Sequence, residues 1–129
     1  MSKKQIINTT EAPSPVGPYN QSILANGTLY ISGQIAINPS NGELITTNIE
    51  DETHKVFSNL KAILAKAELT LEDIVKCSVF VSDMKMYERI NAVYATYFNE
   101  ETAPARELVE VSNLPKYVNV EISAIAVKS

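Results

Sequence analysis

Residues 56–67 read Val-Phe-Ser-Asn-Leu-Lys-Ala-Ile-Leu-Ala-Lys-Ala. Val56, Phe57, Leu60, Ile63, Leu64 and Ala67 recur at i, i+1, i+4, i+7, i+8 and i+11, which is one face of a 3.6-residue helix. Lys55, Lys61 and Lys66 fall off that stripe and are expected to face water. Upstream, Thr47-Asn48-Ile49-Glu50 has the spacing of a capping box, with Thr47 and Glu50 expected to satisfy orphan amides reciprocally. Downstream the period changes from helical to two: Val75, Cys77, Val79 and Val81 alternate with Lys76, Ser78 and Phe80. A strand with a mainly aliphatic inner face follows from that alternation. An amphipathic helix beside a strand with one apolar face needs a layered α+β arrangement.

The flanking segments extend the same pattern. Pro13-Ser14-Pro15-Val16-Gly17-Pro18 is the densest cluster of breakers and is expected to be an irregular loop. Tyr19–Leu24 and Leu29–Ile35 are strand-like, separated by Asn26-Gly27, a dipeptide suited to a type I′ hairpin. Asn38-Pro39-Ser40-Asn41-Gly42 marks a further turn. A second helix is expected from about Asp83, with Tyr87, Ile90, Tyr94, Tyr97 and Phe98 as its core-facing stripe and Ala103-Pro104 ending it. Two strands close the chain, Arg106–Val111 and Val118–Val127. In the last, Val118, Val120, Ile122, Ala124 and Ala126 point one way, and Asn119, Glu121 and Ser123 the other. The element order is β-β-α-β-α-β-β, with a possible added strand at Gln5–Asn8. With no repeat or linker, residues 1–129 read as one α+β domain with two helices on one face of a mixed sheet. Its other face must be solvated or buried against another chain.

Composition narrows the function. The 129 residues are 45% apolar and 20% charged, an ordinary globular balance. Eleven Lys/Arg against fifteen Asp/Glu give a formal net charge of −4, which counts against a nucleic-acid binder. No apolar run exceeds four residues, so no membrane span is expected. The opening Met-Ser-Lys-Lys-Gln-Ile-Ile-Asn lacks the hydrophobic stretch of a secretory signal. One cysteine, Cys77, cannot form an internal disulfide, and a reducing cytoplasm is the expected compartment.

Several chemistries drop out. Gly17, Gly27, Gly33 and Gly42 form no phosphate-cradling motif. His54 and Cys77 are each the only residue of their type, too few for a zinc set or a Cys-His pair, so no metal site is expected. Arg106 and Glu121 remain. If the last two strands form a hairpin centred between Leu114 and Pro115, Leu108 opposes Glu121. Arg106 is then its diagonal neighbour, roughly 7–8 Å away, on the face turned from the helices. A guanidinium there can grip a carboxylate through two parallel hydrogen bonds. A nearby carboxylate can hold and polarise a water. On spacing alone, the preferred reading of the pair is a salt bridge on an exposed or interfacial strand face.

At this point the chain resembles the reactive intermediate deaminases, the RidA/YjgF family. The likeness spans nearly the whole sequence. It includes Gly17-Pro18-Tyr19-Asn20-Gln21, Tyr30-Ile31-Ser32-Gly33-Gln34-Ile35, Asn59-Leu60-Lys61-Ala62-Ile63-Leu64 and Asp73-Ile74-Val75-Lys76. Asn91-Ala92-Val93-Tyr94, Pro104-Ala105-Arg106, Leu114-Pro115-Lys116 and Val120-Glu121-Ile122 complete it. The resemblance implies a chorismate-mutase-like α+β fold assembled as a homotrimer, sheets inward and helices outside. It implies a cleft between subunits where small 2-imino acids, such as 2-iminobutanoate and 2-iminopropanoate, or their enamine tautomers, are hydrolysed to 2-keto acids and ammonia. Such intermediates leave pyridoxal-phosphate enzymes, whereas this family is expected to need no cofactor. By position, Arg106 matches the carboxylate-binding arginine and Glu121 the acid that orients or activates water. Tyr19 and Ser32 match polar pocket residues, the Gly33 backbone approaches the ligand, and Asn91 lies near the cleft.

The sequence departs from the family pattern at three places. Leu108 stands where many bacterial members carry cysteine, which would alter pocket polarity and substrate size. Glu107 replaces a small residue beside the arginine and would place negative charge near the pocket. Glu68 stands where glycine commonly ends the first helix, a structural difference. Two other functions compete with the deaminase: a non-catalytic module that binds keto acids, and a ribonuclease-type translation inhibitor, which the acidic balance disfavours.

Overall fold

The computed structural model describes residues 3–129; Met1 and Ser2 of the opening segment lie outside the described residues. Six strands, β1 (Gln5–Ile7), β2 (Ser22–Ala25), β3 (Thr28–Gln34), β4 (Ile74–Val81), β5 (Ala105–Glu110) and β6 (Val120–Val127), form one mixed sheet. Their lateral order is β1-β2-β3-β6-β4-β5. Helices α1 (Ile49–Lys66) and α2 (Tyr87–Tyr94) pack together over one side. The α+β class, the mixed sheet and the two helices are as the sequence indicates.

Asn26 and Gly27 join β2 to β3 with φ of 52° and 79°, the two left-handed positions a type I′ turn requires. Helix α1 buries Val56, Phe57, Leu60, Ile63 and Leu64 completely, on the sheet face carrying Leu29, Ile31, Ile122 and Ala126. Each such aliphatic or aromatic side chain contributes roughly 1.5–3 kcal/mol by leaving water. The N-cap of α1 is Asn48, whose side chain accepts from the Asp51 amide at 2.7 Å. The cap thus falls one residue after the Thr47–Glu50 pattern. At the far end Glu68 adopts φ 62°, and the amides of Glu68 and Leu69 close onto the carbonyls of Ala65 and Leu64. Glu68 therefore performs the left-handed termination for which glycine is best suited.

Two expectations about the strands are corrected. Val75 is 48% exposed, because a register irregularity between Ile74 and Lys76 gives the inward position to Ile74. More consequentially, β5 and β6 are not a hairpin. Strand β5 pairs in parallel with β4, and β6 lies antiparallel to β4 on its other side, so β4 separates them. Parallel neighbours need a crossover, and α2 supplies it between β4 and β5. Helix α2 is also shorter than its aromatic stripe: it ends at Tyr94, leaving Tyr97 and Phe98 in the following turn to stack on Phe57 and Tyr94.

The face turned from the helices carries Ile6, Tyr30, Val109 and Val127, each 40–52% exposed. Lys76 and Glu107 pair across it at 3.3 Å.

Candidate active site

The sheet register decides where the expected site residues point. Arg106 lies opposite Cys77, which lies opposite Ala124, and both neighbours are buried under the helices. Arg106 is therefore on the helix-covered side, at the sheet edge. Glu121 lies opposite Phe80, three residues from the Cys77 row, and so belongs to the uncovered side. Within one chain the two are about 10 Å apart along the strands, two strand spacings across, and on opposite faces. The expectation that they are diagonal neighbours on one face is overturned, because a parallel crossover replaces the hairpin.

Around Arg106 lies a groove of about 480 Å³, lined also by Asn91, Tyr94 and Phe98, with Glu100 at its wall. Asn91, on α2, accepts from Nη1 through Oδ1 at 2.8 Å, and the Tyr87 hydroxyl accepts from Nη2 at 3.1 Å. The guanidinium carbon stands 4.7 Å from the Tyr94 ring centroid and 5.8 Å from that of Tyr87, a cation–π arrangement. No carboxylate among the described residues pairs with it. Glu107 does not place its charge there as expected. It faces the other side, where the Ser78 hydroxyl and Lys76 hold its carboxyl below the usual range. Leu108 lies on the Arg106 side, half-buried against the core.

Beneath the guanidinium, Tyr94 is 7% exposed and its hydroxyl has no formed hydrogen bond. Burial raises its pKa, with the adjacent Cys77 adding to the effect and Arg106 opposing it. Burial likewise pushes the Cys77 thiol up, so it is a packed thiol and not a ready nucleophile.

Glu121 occupies a separate recess of about 110 Å³, shared with Tyr19, Gly33, Gln34 and Lys116. Its carboxylate makes no hydrogen bond among the described residues, and burial alone raises its pKa above the ordinary carboxylate value of 4.5. Gly33 sits in the bulged stretch between Ile31 and Gln34, and the Glu121 side chain lies directly against it. The Ser32 hydroxyl donates to the Asn20 carbonyl at 2.7 Å. Gln21 fixes the loop bearing Tyr19: its amide donates to the carbonyls of Thr9, Ala12 and Pro13.

The expected residues thus form two half-sites: Arg106, Asn91 and Leu108 in one place, and Tyr19, Gly33 and Glu121 in another, with Ser32 beside the second. Sequence reasoning missed Tyr87, read as core but 37% exposed and bonded to Arg106. It also missed Glu52, wholly buried on α1, which accepts from the amides of Asn119 and Val120 and from Asn119 Nδ2. Its spacing from Ile49 and Val56 was the available signal: a carboxylate on the buried stripe. His54 is exposed, with Nδ1 2.6 Å from the Tyr97 hydroxyl, and joins neither half-site.

A one-sided α+β sheet with an unpaired guanidinium groove defines a small domain equipped to hold an anion. A model of the family described as Endoribonuclease L-PSP matches residues 9–128, and the chain belongs to this family, also known as RidA/YjgF. A RutC family protein of Pyrococcus horikoshii is 49% identical over 125 residues, covering 97% of this chain and 98% of that one. The crystal structure of a conserved Rid family protein of unknown function, YyfA from Yersinia pestis, matches with a TM-score of 0.94. It is 46% identical, with 97% and 99% of the chains covered. TdcF of E. coli, solved with bound serine, matches with a TM-score of 0.91 at 40% identity, with coverage of 97% and 99%. No helix among the described residues is long and apolar enough to cross a membrane.

Proposed function

We propose that the protein hydrolyses small 2-imino acids to 2-keto acids and ammonia, in a cleft that two copies of the chain complete within a homotrimer. The observation that carries this reading is the Arg106 guanidinium, seated on Tyr94 and held by Asn91, with three of its five N–H donors unused and no acidic partner. Such a fork suits a carboxylate. The bound serine of TdcF, itself a small amino acid, agrees in kind with that ligand.

The partly buried Glu121 supplies the second function. As a carboxylate it accepts a proton from a water while the oxygen attacks the imine carbon, giving a carbinolamine. Returning that proton to nitrogen completes the neutral carbinolamine. Glu121 then takes the hydroxyl proton and passes it to the same nitrogen, so the C–N bond breaks and ammonia leaves as the C=O bond forms. An imine is already electrophilic, so orientation and a poised base suffice, and no cofactor is invoked. Because Arg106 and Glu121 face opposite ways in one chain, the cleft takes Arg106 from one copy and Glu121 from the next. The exposed apolar side chains of the uncovered face favour burial against other copies. We place this activity in the cytoplasm, where the imine-forming enzymes would act.

The test is to generate 2-iminobutanoate with a threonine dehydratase and follow keto acid release with wild type and Arg106→Ala. Acceleration by wild type alone is expected; equal rates would remove the role of Arg106. The TdcF complex also favours a second reading, a keto acid-binding module without turnover. Calorimetric binding of 2-oxobutyrate without any acceleration of imine hydrolysis would establish that alternative.

A further inference from the structure

Both neutral groups bonded to Arg106 turn their acceptors inward. Arginine only donates, so Asn91 must present Oδ1 to Nη1, and Tyr87 must present an oxygen lone pair to Nη2. Asn91 Nδ2 and the Tyr87 hydroxyl hydrogen are left without partners among the described residues. Tyr87 stands at the start of α2 and is 37% exposed, so its hydroxyl is reachable from solvent beside the guanidinium. The neighbouring Arg89 does not compete for a ligand there, because Glu50 engages its Nε and Nη2, both at 2.7 Å.

We infer that Tyr87 is a specificity-determining residue, its hydroxyl joining Arg106 and Asn91 in a cluster of donors that selects an ionised carboxylate over its neutral derivatives. The inference rests on the reading that Arg106 receives the substrate's carboxylate. Four lone-pair sites on a carboxylate can meet donors from the guanidinium, the phenol and the amide together. A primary amide is neutral and offers one acceptor oxygen in place of two charged ones, so it meets fewer of these donors and forgoes the charge-assisted bonds. The phenol that accepts from a guanidinium is also polarised towards donation. Tyr87 therefore acts on which acid derivative binds, whereas Glu121, in the other half-site, acts on the water.

The experiment is calorimetric titration of 2-oxobutyrate and 2-oxobutyramide into wild type, Tyr87→Phe and Arg106→Ala. Phenylalanine keeps the ring beside the guanidinium and removes only the hydroxyl, at a partly exposed position, so the unfolding midpoint should be retained. Wild type should prefer the acid, and Tyr87→Phe should bind the acid about tenfold more weakly, the loss of one charge-assisted hydrogen bond, with the amide unchanged. Wild-type affinity in Tyr87→Phe, with binding lost in Arg106→Ala, would overturn the role of Tyr87 alone. Full affinity in Arg106→Ala would overturn the carboxylate assignment itself, and this inference with it.

Discussion

The side chain of Glu121 fills the space a β-carbon on residue 33 would need: a Cβ built there would stand 2.8 Å from Glu121 Cδ. The carboxylate is consequently held against bare backbone at the bulge of β3.

Gly33→Ala should displace Glu121 while leaving the fold in place, since residue 33 has no positive φ and the clash is with a side-chain end. Misplacing a reacting group by about 1 Å costs on the order of 10²-fold in rate. We expect kcat for imine hydrolysis to fall by that order, with binding of 2-oxobutyrate largely kept. Unchanged turnover would separate Glu121 from the chemistry.

Burial of Glu121 disfavours its ionised form, so its folded pKa is above its unfolded value. The sign follows: the native state pays nothing at pH below the unfolded pKa, and the destabilisation is complete above the folded one. The proposed base acts in its ionised form, so the acidic limb of the kcat profile should have its midpoint above 4.5. Glu121→Gln should lose activity at every pH and gain stability relative to wild type as pH rises through the same interval. Urea unfolding and a pH–rate profile measure the two effects.

The placement of the two half-sites on opposite faces predicts complementation. Arg106→Ala and Glu121→Gln should each be inactive alone. Refolded together at equal concentration, random pairing should restore about a quarter of wild-type activity, because one interface in four unites two intact halves. No recovery in well-mixed oligomers would mean that both groups serve a single chain's site.

Glu52 has three donors and no cation. Glu52→Leu would orphan two amides and the Asn119 side chain in the interior, costing about 2–5 kcal/mol. Glu52→Gln keeps one acceptor and should cost less. The denaturant midpoints of the two variants test the order.

Local patterns made most of this fold legible. The stripe from Val56 to Ala67, the Asn26-Gly27 turn and the alternation from Val120 to Ala126 each follow from residues close in sequence. Pairing was less accessible, because alternation fixes a strand's faces and not its neighbour. Asn113-Leu114-Pro115-Lys116 has the composition of a hairpin turn, yet Lys116 and Tyr117 adopt φ of 55° and 56° in a short 3-10 turn. That connection carries the chain past β4, and with it the supposed partnership of Arg106 and Glu121 disappears. Tyr87 escaped for a related reason: its helical spacing matched that of Tyr94, but α2 begins there, at the rim where a side chain can reach β5. Glu52 departed from local preference where tertiary packing sets the requirement, and Glu68 where the end of α1 demands a left-handed residue.

The parallel crossover has one further consequence. Under the chemistry proposed above, a chain that carries acid and cation on opposite sides of its own sheet cannot turn over substrate alone, so its specific activity should depend on how much of it is present. Dilution below the threshold of self-association would silence it without unfolding it, and a defective copy would impair the sound neighbours with which it assembled.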